Sequence, residues 1–366
     1  MIKIRFKYGI LPGLLLLVIN VFSQDGEHDF GIKETAHFGA LLPHRQQVNE
    51  IVEGHTVAYE LSFYKSTSGK KDWQRAYAYP KVGISAMYHY LGNPNELGNA
   101  YGLFGFVDLP LNQRKINWRL KMGYGLGYIE KPFDKETNNK NVAIGSHFNA
   151  LIYANMGWDA KLSDALNLSS GLSIIHYSNG AFAMPNLGIN IVSLNVGAIY
   201  NFGNVTEKLT DELPDRDRTW KKQVMVGFGA REVPPTDGPK YFVNTYSFNL
   251  MKPLKRKGSF GVGFDVFYNS ALPELILLKG EKATTGTADK FRVGIAGIYS
   301  FDFGKISFLV EAGGYLYTNY AYQGRLYNRF TTRYLVSDKV FLNLGLKTHM
   351  VVADFIEAGI GYTIGK

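Results

Sequence analysis

Long segments of alternating apolar and polar residues constrain the fold of this 366-residue chain more than any other feature of its sequence. In residues 115–129, the even positions from Ile116 to Tyr128 are all apolar, whereas the odd positions carry mainly Asn, Arg, Lys and Gly. Residues 354–364 repeat the pattern. Alternation with a period of two is typical of β-strands, because successive side chains point to opposite faces. The chain is therefore predicted to be all-β.

Three properties of these segments favour a barrel in a membrane over a soluble β-sandwich. The segments are about 10–15 residues long, which is enough to cross a bilayer obliquely. Their polar faces carry charges and glycines, as a wet lumen does. Trp118, Tyr128, Phe148 and Trp158 lie near the ends of the apolar faces, where interfacial aromatic residues are found. We predict an outer-membrane antiparallel β-barrel, with a secreted soluble β-protein as the alternative.

Polar turns divide the alternating region into about 14 strands, within a range of about 12 to 16, and bacterial single-chain barrels have an even number. Short turns fall on one side of this barrel and longer loops on the other. The predicted strands are residues 81–91, 99–110, 115–129, 144–160, 165–176, 188–202, 220–231, 241–252, 258–269, 291–302, 306–318, 328–336, 340–349 and 354–364.

The first 23 residues have the composition of a secretory signal peptide. Three basic residues precede an apolar run at residues 10–22, and small or neutral residues follow it. The alternative is a membrane anchor helix, but the run is short and contains Pro12 and Gly13. Cleavage is predicted after Ser23, which places the mature protein outside the cytoplasm.

The rest of the chain is predicted to have two parts. Residues 24–80 are expected to be an N-terminal periplasmic segment, and residues 81–366 the transmembrane barrel. Residues 56–66 also alternate, but a further strand would make the count odd, so they are assigned to the N-terminal segment. Residues 203–219 are an exception to the turn rule, since they form a long link on the periplasmic side.

Composition excludes several classes of function. The absence of Cys excludes disulfides, thiolate metal sites and a Cys nucleophile. A charged fraction of 19% with 14% aromatic residues argues against disorder. The net charge of +9 is not clustered enough to indicate nucleic-acid binding, but it suits a phosphate-rich partner such as a lipopolysaccharide surface.

One polar cluster interrupts the apolar faces of the fifth and sixth predicted strands. His176, Ser178 and Asn190 occupy even positions, which are otherwise mostly apolar and are expected to face lipid. Polar groups there are costly unless they pair or lie at the interface. His176 and Ser178 are about 6.5–7 Å apart between Cα atoms, and a symmetric hairpin would place His176 opposite Asn190. This arrangement is that of a nucleophile, a base and an orienting group.

The loop between the two strands contains Asn179, Gly180, Asn186 and Gly188, whose backbone N–H groups and amides can form an oxyanion hole. The alternative is an ordinary interfacial patch, because a His-x-Ser pair on a strand is common and Asn-Gly is a frequent turn signal. The spacing of the residues leaves both interpretations open.

His176-x-Ser178-Asn179 followed by Pro185-Asn186-x-Gly188 resembles the lipid A 3-O-deacylase (PagL-like, acyloxyacyl hydrolase) family. The resemblance implies an outer-membrane barrel whose site faces the lipid and cleaves the ester-linked 3-hydroxyacyl chain of lipid A. It also implies that Ser178 is the nucleophile, that His176 is the base, and that Asn186 and the Asn179 backbone contribute to the oxyanion hole. The chemistry requires no metal or cofactor, and the implied partner is lipid A or lipopolysaccharide.

The chain departs from this family in two respects. Asn190 stands where the family has an acidic residue, and an amide cannot stabilise an imidazolium as a carboxylate does. The chain is also longer than the compact eight-stranded members, which predicts a wider, water-filled lumen. A pore or transport barrel, or a structural barrel, with an inactive motif therefore remains an alternative. The polar residues expected to line or fill the lumen are His89, Lys121, His147, Asp159, Arg231, Asp265, Glu311 and Lys347.

Overall fold

The computed structural model describes residues 29–43, 45–112, 114–202, 207–350 and 352–365. The predicted signal peptide lies outside these residues. The described strands are β1 (Phe30–Leu41), β2 (Thr56–Ser66), β3 (Lys81–Tyr90), β4 (Asn99–Pro110), β5 (Ile116–Ile129), β6 (Phe148–Lys161), β7 (Leu166–Ser178), β8 (Ile189–Asn201), β9 (Lys221–Glu232), β10 (Lys240–Pro253), β11 (Ser259–Asn269), β12 (Phe291–Phe303), β13 (Ile306–Tyr317), β14 (Leu326–Leu335), β15 (Val340–His349) and β16 (Val352–Ile364).

Helices are few and short. They are α1 (Gln46–Asn49), α2 (Asp72–Ala76), α3 (Leu272–Leu278) and a 3₁₀ turn at Thr287–Lys290. Within the described ranges, none of them has the length and apolar character needed to span a membrane.

The strands close into two separate antiparallel barrels of eight strands each. The first barrel contains β1 to β8, and the second contains β9 to β16. Pairing of β1 with β8 closes the first barrel in a register that places Leu41 opposite Ile191. Pairing of β16 with β9 closes the second and places Ile356 opposite Ala230.

The prediction of an antiparallel all-β barrel fold is confirmed, and sixteen described strands are at the top of the predicted range. The prediction of a single barrel beginning at residue 81 is wrong. Residues 30–41 and 56–66 are not a separate segment, because they supply the first two strands of the first barrel. The long link in the sequence is the connection between the barrels. A single wide lumen is therefore also wrong.

The interior of the first barrel is filled by a buried polar network. Glu60 is 2% exposed and forms an ion pair with Lys121. His37 Nε2 lies 3.2 Å from a carboxylate oxygen of Glu60, and Arg119 pairs with Asp108 at 2.9 Å. An eight-stranded barrel has an interior just wide enough for side chains to fill it, so these groups occupy the lumen.

The second barrel is filled in the same way, with Arg329 at the centre of one buried network. The Arg329 guanidinium lies 3.1 Å from Asp265, 2.9 Å from Glu311 and 2.5 Å from Glu357. All four side chains are essentially inaccessible to solvent. Except for His147, which precedes β6 and bonds to the Ile129 carbonyl, the predicted lumen residues are buried. Neither interior therefore resembles the open lumen of a porin.

Large apolar side chains cover the outside of both barrels. In the first barrel, Leu172 and Leu194 are 48% and 69% exposed, and in the second, Phe228 and Ile360 are 50% and 52% exposed. Apolar residues outside and polar residues inside reverse the arrangement of a soluble protein. Both outer walls are suited to contact with lipid.

The interior network of the second barrel generates a prediction about stability. Arg329→Met leaves three buried carboxylates without their cation, which is expected to cost about 3–5 kcal/mol in the free energy of unfolding. Arg325→Met, at an exposed position of the same barrel, serves as the control and is expected to change stability by less than about 0.5 kcal/mol. Urea titration in lipid vesicles measures both. Equal unfolding midpoints for the two variants would contradict a stabilising role for this network.

Candidate active site

The β7–β8 hairpin brings His176 and Asn190 together on the outer wall of the first barrel. The strand register places the two residues directly opposite each other, as the sequence predicted. His176 Nδ1 lies 2.6 Å from Asn190 Oδ1. Because a carbonyl oxygen only accepts, Nδ1 carries the proton and the lone pair is on Nε2. The hydrogen bond thus selects the tautomer that a general base acting through Nε2 requires.

Ser178 is the last residue of β7 and lies two residues beyond His176 on the same outer face. Its neighbours on that face, Leu172 and Ile174, are about half exposed, whereas Ser178 is only 4% exposed. Asn186 Nδ2 donates to Ser178 Oγ at 2.9 Å. The Gly180 backbone N–H also donates to this oxygen, at 3.3 Å. The loop after β7 therefore folds back over the hydroxyl and surrounds it with donors.

Asn179 and Asn186 hold this loop in shape. The Asn179 backbone N–H donates to Asn186 Oδ1 at 3.1 Å, which orients the Asn186 amide toward Ser178. The Asn179 side chain donates to Ser146 Oγ at 2.9 Å and to the Ala183 carbonyl at 3.0 Å. The groups that donate to Ser178 thus lie in the ten-residue loop between β7 and β8. The bonds that fix these groups come from the same loop and from the neighbouring loop that contains Ser146.

Gly188 does not have the predicted role of an oxyanion donor. Its N–H donates to the Ala143 carbonyl at 2.9 Å, so it is not directed at Ser178. Its φ of +84° lies in the left-handed region that favours glycine. A Cβ at this position would lie 2.9 Å from His176 Cε1. Gly188 therefore leaves room for the imidazole ring.

Gly180, which the sequence placed in the loop of possible oxyanion donors, supplies its N–H to Ser178 Oγ. Ser146 was not predicted as a site residue. Ser146 supports Asn179 from the loop before β6. No local pattern could have identified Ser146, because the contact depends on how two separate loops pack.

An apolar groove begins beside the polar cluster on the same outer wall. The groove has a volume of about 490 Å³. One of its lining residues is Val192, the next outward-facing residue after Asn190 on β8. Its walls come from Phe38, Gly39, Ala40, His55, Thr56, Leu172, Val192, Ser193 and Leu194. A mainly apolar groove of this kind suits a hydrocarbon chain.

Chemically, the cluster has the parts needed for acyl transfer. A hydroxyl and an imidazole share one face, an amide orients the imidazole, and N–H donors converge on the hydroxyl. These are the roles of nucleophile, base, orienting group and oxyanion donors.

Family comparisons match both barrels. The model of lipid A 3-O-deacylase (PagL) matches residues 57–198, and the model of the acyloxyacyl hydrolase C-terminal domain matches residues 220–366. No curated protein sequence matches the chain.

Solved structures give weaker matches. OccAB4 of Acinetobacter baumannii is 13% identical with a TM-score of 0.23, covering 93% of this chain and 98% of that chain. A mutant of the Rh. blastica porin is 7% identical with a TM-score of 0.18, covering 92% and 99%. The siderophore receptor PirA of Pseudomonas aeruginosa is 8% identical with a TM-score of 0.22, covering 93% and 81%. At such TM-scores these matches carry no structural or functional conclusion.

The close approach of Gly188 to His176 generates a prediction about the imidazole. Gly188→Ala is expected to displace the ring and break the bond from Nδ1 to Asn190, so that the downfield Nδ1–H proton resonance is lost from the NMR spectrum. Comparison with His176→Gln assigns that resonance. Gly324→Ala is the control, because Gly324 has a similar φ of +77° but nothing within 4 Å of an added Cβ. An unchanged resonance in Gly188→Ala would show that the glycine does not set the ring position.

Proposed function

Because the chain belongs to the lipid A 3-O-deacylase (PagL) family, we propose that it is a serine esterase of the Gram-negative outer membrane. Its substrate is lipid A, from which it removes an ester-linked 3-hydroxyacyl chain. The observation that carries this proposal is the hydrogen bond of His176 Nδ1 to Asn190 Oδ1 on the outer wall, beside a hydroxyl surrounded by donors.

In the proposed reaction, Nε2 of His176 takes the proton of the Ser178 hydroxyl while Oγ attacks the ester carbonyl. The tetrahedral intermediate collapses, and the imidazolium returns the proton to the departing sugar oxygen. Water then attacks the acyl-enzyme with His176 again acting as base, which releases the 3-hydroxy fatty acid and restores Ser178. The first half of the reaction exchanges the sugar ester for the acyl-enzyme ester, and the second half hydrolyses the acyl-enzyme ester.

The developing oxyanion requires donors close to Ser178. Gly180 N–H and Asn186 Nδ2 already contact Oγ, at 3.3 and 2.9 Å, so the oxyanion on the carbon that becomes bonded to Oγ would lie within their reach. The Asn179 N–H is held by the Asn186 amide and becomes a donor if that amide turns toward the substrate. We assign Gly188 to packing against the base.

The location on the outer wall suits a substrate that diffuses within the outer leaflet. The apolar groove that begins at Val192 provides a place for an acyl chain next to the polar cluster. Burial of Ser178 at 4% exposure keeps bulk water away from the hydroxyl. The filled interiors of both barrels favour this function over a pore.

A first prediction concerns the nucleophile. Expression in a Gram-negative host is expected to remove the mass of one 3-hydroxyacyl chain from lipid A, as measured by mass spectrometry. Ser178→Ala is expected to abolish the loss. Ser170→Ala is the matched control, because Ser170 lies on the same face of β7 and its hydroxyl donates to the Asn195 backbone carbonyl. Unmodified lipid A with the native chain, or a loss that survives in Ser178→Ala, would contradict the proposal.

A second prediction concerns Asn190. Asn190→Asp places a carboxylate at the same point and stabilises the imidazolium, so kcat is expected to rise, by about tenfold. Asn190→Ala removes the orienting oxygen and is expected to lower kcat by about tenfold or more. Both are measured as fatty-acid release from lipid A in mixed micelles. If Asn190→Ala retains the native kcat, Asn190 does not orient the base.

A further inference from the structure

The loop that covers Ser178 is in contact with the second barrel as well as with its own. Three consecutive residues, Gly180, Ala181 and Phe182, each touch a residue of β9, β10 or β16. The site therefore lies where the two barrels make contact, here called the seam. Nothing in the chemistry of the β7–β8 hairpin itself requires a second barrel, so the contacts across the seam have a different role.

Gly180 contacts both the Ser178 hydroxyl and the second barrel. Its N–H lies 3.3 Å from Ser178 Oγ. On its other side, a Cβ would lie only 2.4 Å from Cγ1 of Ile356 on β16. Ile356 faces outward and is half-buried, whereas Ile360, four residues later on the same face, is 52% exposed. Ile356 is thus covered by the loop of the first barrel.

Ala181 and Phe182 make the contact polar as well as apolar. The Ala181 carbonyl accepts from the N–H of Glu232, the last residue of β9, at 2.8 Å. Ala181 has a φ of +61°, a conformation that residues with a Cβ rarely adopt without support. Lys240 on β10 is paired with the Glu232 carboxylate, and its ammonium lies 5.1 Å from the centre of the Phe182 ring.

We propose, building on the esterase function above, that the second barrel positions the donors of the active site. Ile356 and Lys240 are positioning residues that hold residues 180–182. They thereby fix the position of the Gly180 N–H that donates to Ser178 Oγ. The bonds from Asn179 and Gly188 fix the loop on the side of the first barrel. Held on both sides, the loop keeps the oxyanion donors in place before substrate binds.

The test compares kinetics of the full chain and its variants on lipid A in mixed micelles. Ile356→Ala and Lys240→Met are expected to lower kcat about tenfold and to leave KM within about twofold of the native value. Misplaced donors reduce the stabilisation of the transition state but do not weaken substrate binding. Lys240→Arg retains the charge over the ring and the ion pair with Glu232, and is expected to restore kcat. Titration of the reactive serine gives the concentration of folded enzyme in each variant, so that a loss of folded chain is not counted as a lower kcat.

Two controls remove the same groups away from the seam. Ile360→Ala shortens an exposed Ile on the same face of β16. Lys279→Met removes a cation that lies 4.1 Å from the ring centre of Tyr322 in the second barrel. Both are expected to retain the native kcat and KM. If Ile356→Ala and Lys240→Met behave like these controls, the second barrel does not position the site.

A second measurement does not depend on activity. Chymotrypsin cleaves after Phe, and release of the loop is expected to speed cleavage after Phe182 in Ile356→Ala and Lys240→Met but not in the two controls. Equal cleavage rates in all variants would overturn the inference. An inactive native chain with accelerated cleavage in the seam variants would instead mean that the proposed function fails while the contact stands.

Discussion

Closure of each barrel at eight strands is the constraint from which the rest of this structure follows. Eight strands leave an interior that side chains fill completely, and here charged groups such as Arg329 and Glu60 occupy it in paired networks. A filled interior has no room for a substrate. A ligand must therefore bind on the outer wall or at the strand ends, which is where His176 and Ser178 lie.

A site on the outer wall must itself create the low-water environment that other enzymes obtain from a cleft. The loop after β7 does this by folding over Ser178, and the second barrel packs against the other side of that loop through Ile356. In the proposed mechanism an amide, Asn190, orients the imidazole in place of an acidic residue. Exact placement of the remaining donors then becomes more important, because the weaker orienting group contributes less to the stabilisation of charge.

Sequence reasoning predicted most of the strands and the central pair of the site. Periodicity locates fourteen strands within a few residues, and the faces of β7 and β8 place His176 opposite Asn190. β1 was missed because Glu34 and Ala36 on one face and Thr35 and His37 on the other give little apolar alternation. Without β1, the alternation at residues 56–66 seemed to break the even count. The contacts of residues 180–182 with the second barrel depend on packing between distant segments, which no local pattern encodes.

The central claim is that Ser178 is a nucleophile activated by its neighbours on the outer wall. Covalent labelling with a fluorophosphonate, followed by peptide mapping by mass spectrometry, tests this most directly, because only an activated serine reacts rapidly with such reagents. The account predicts a single adduct, on Ser178, that forms much more slowly in His176→Gln. The absence of an adduct, or an adduct on another serine that is unaffected by His176→Gln, would contradict it.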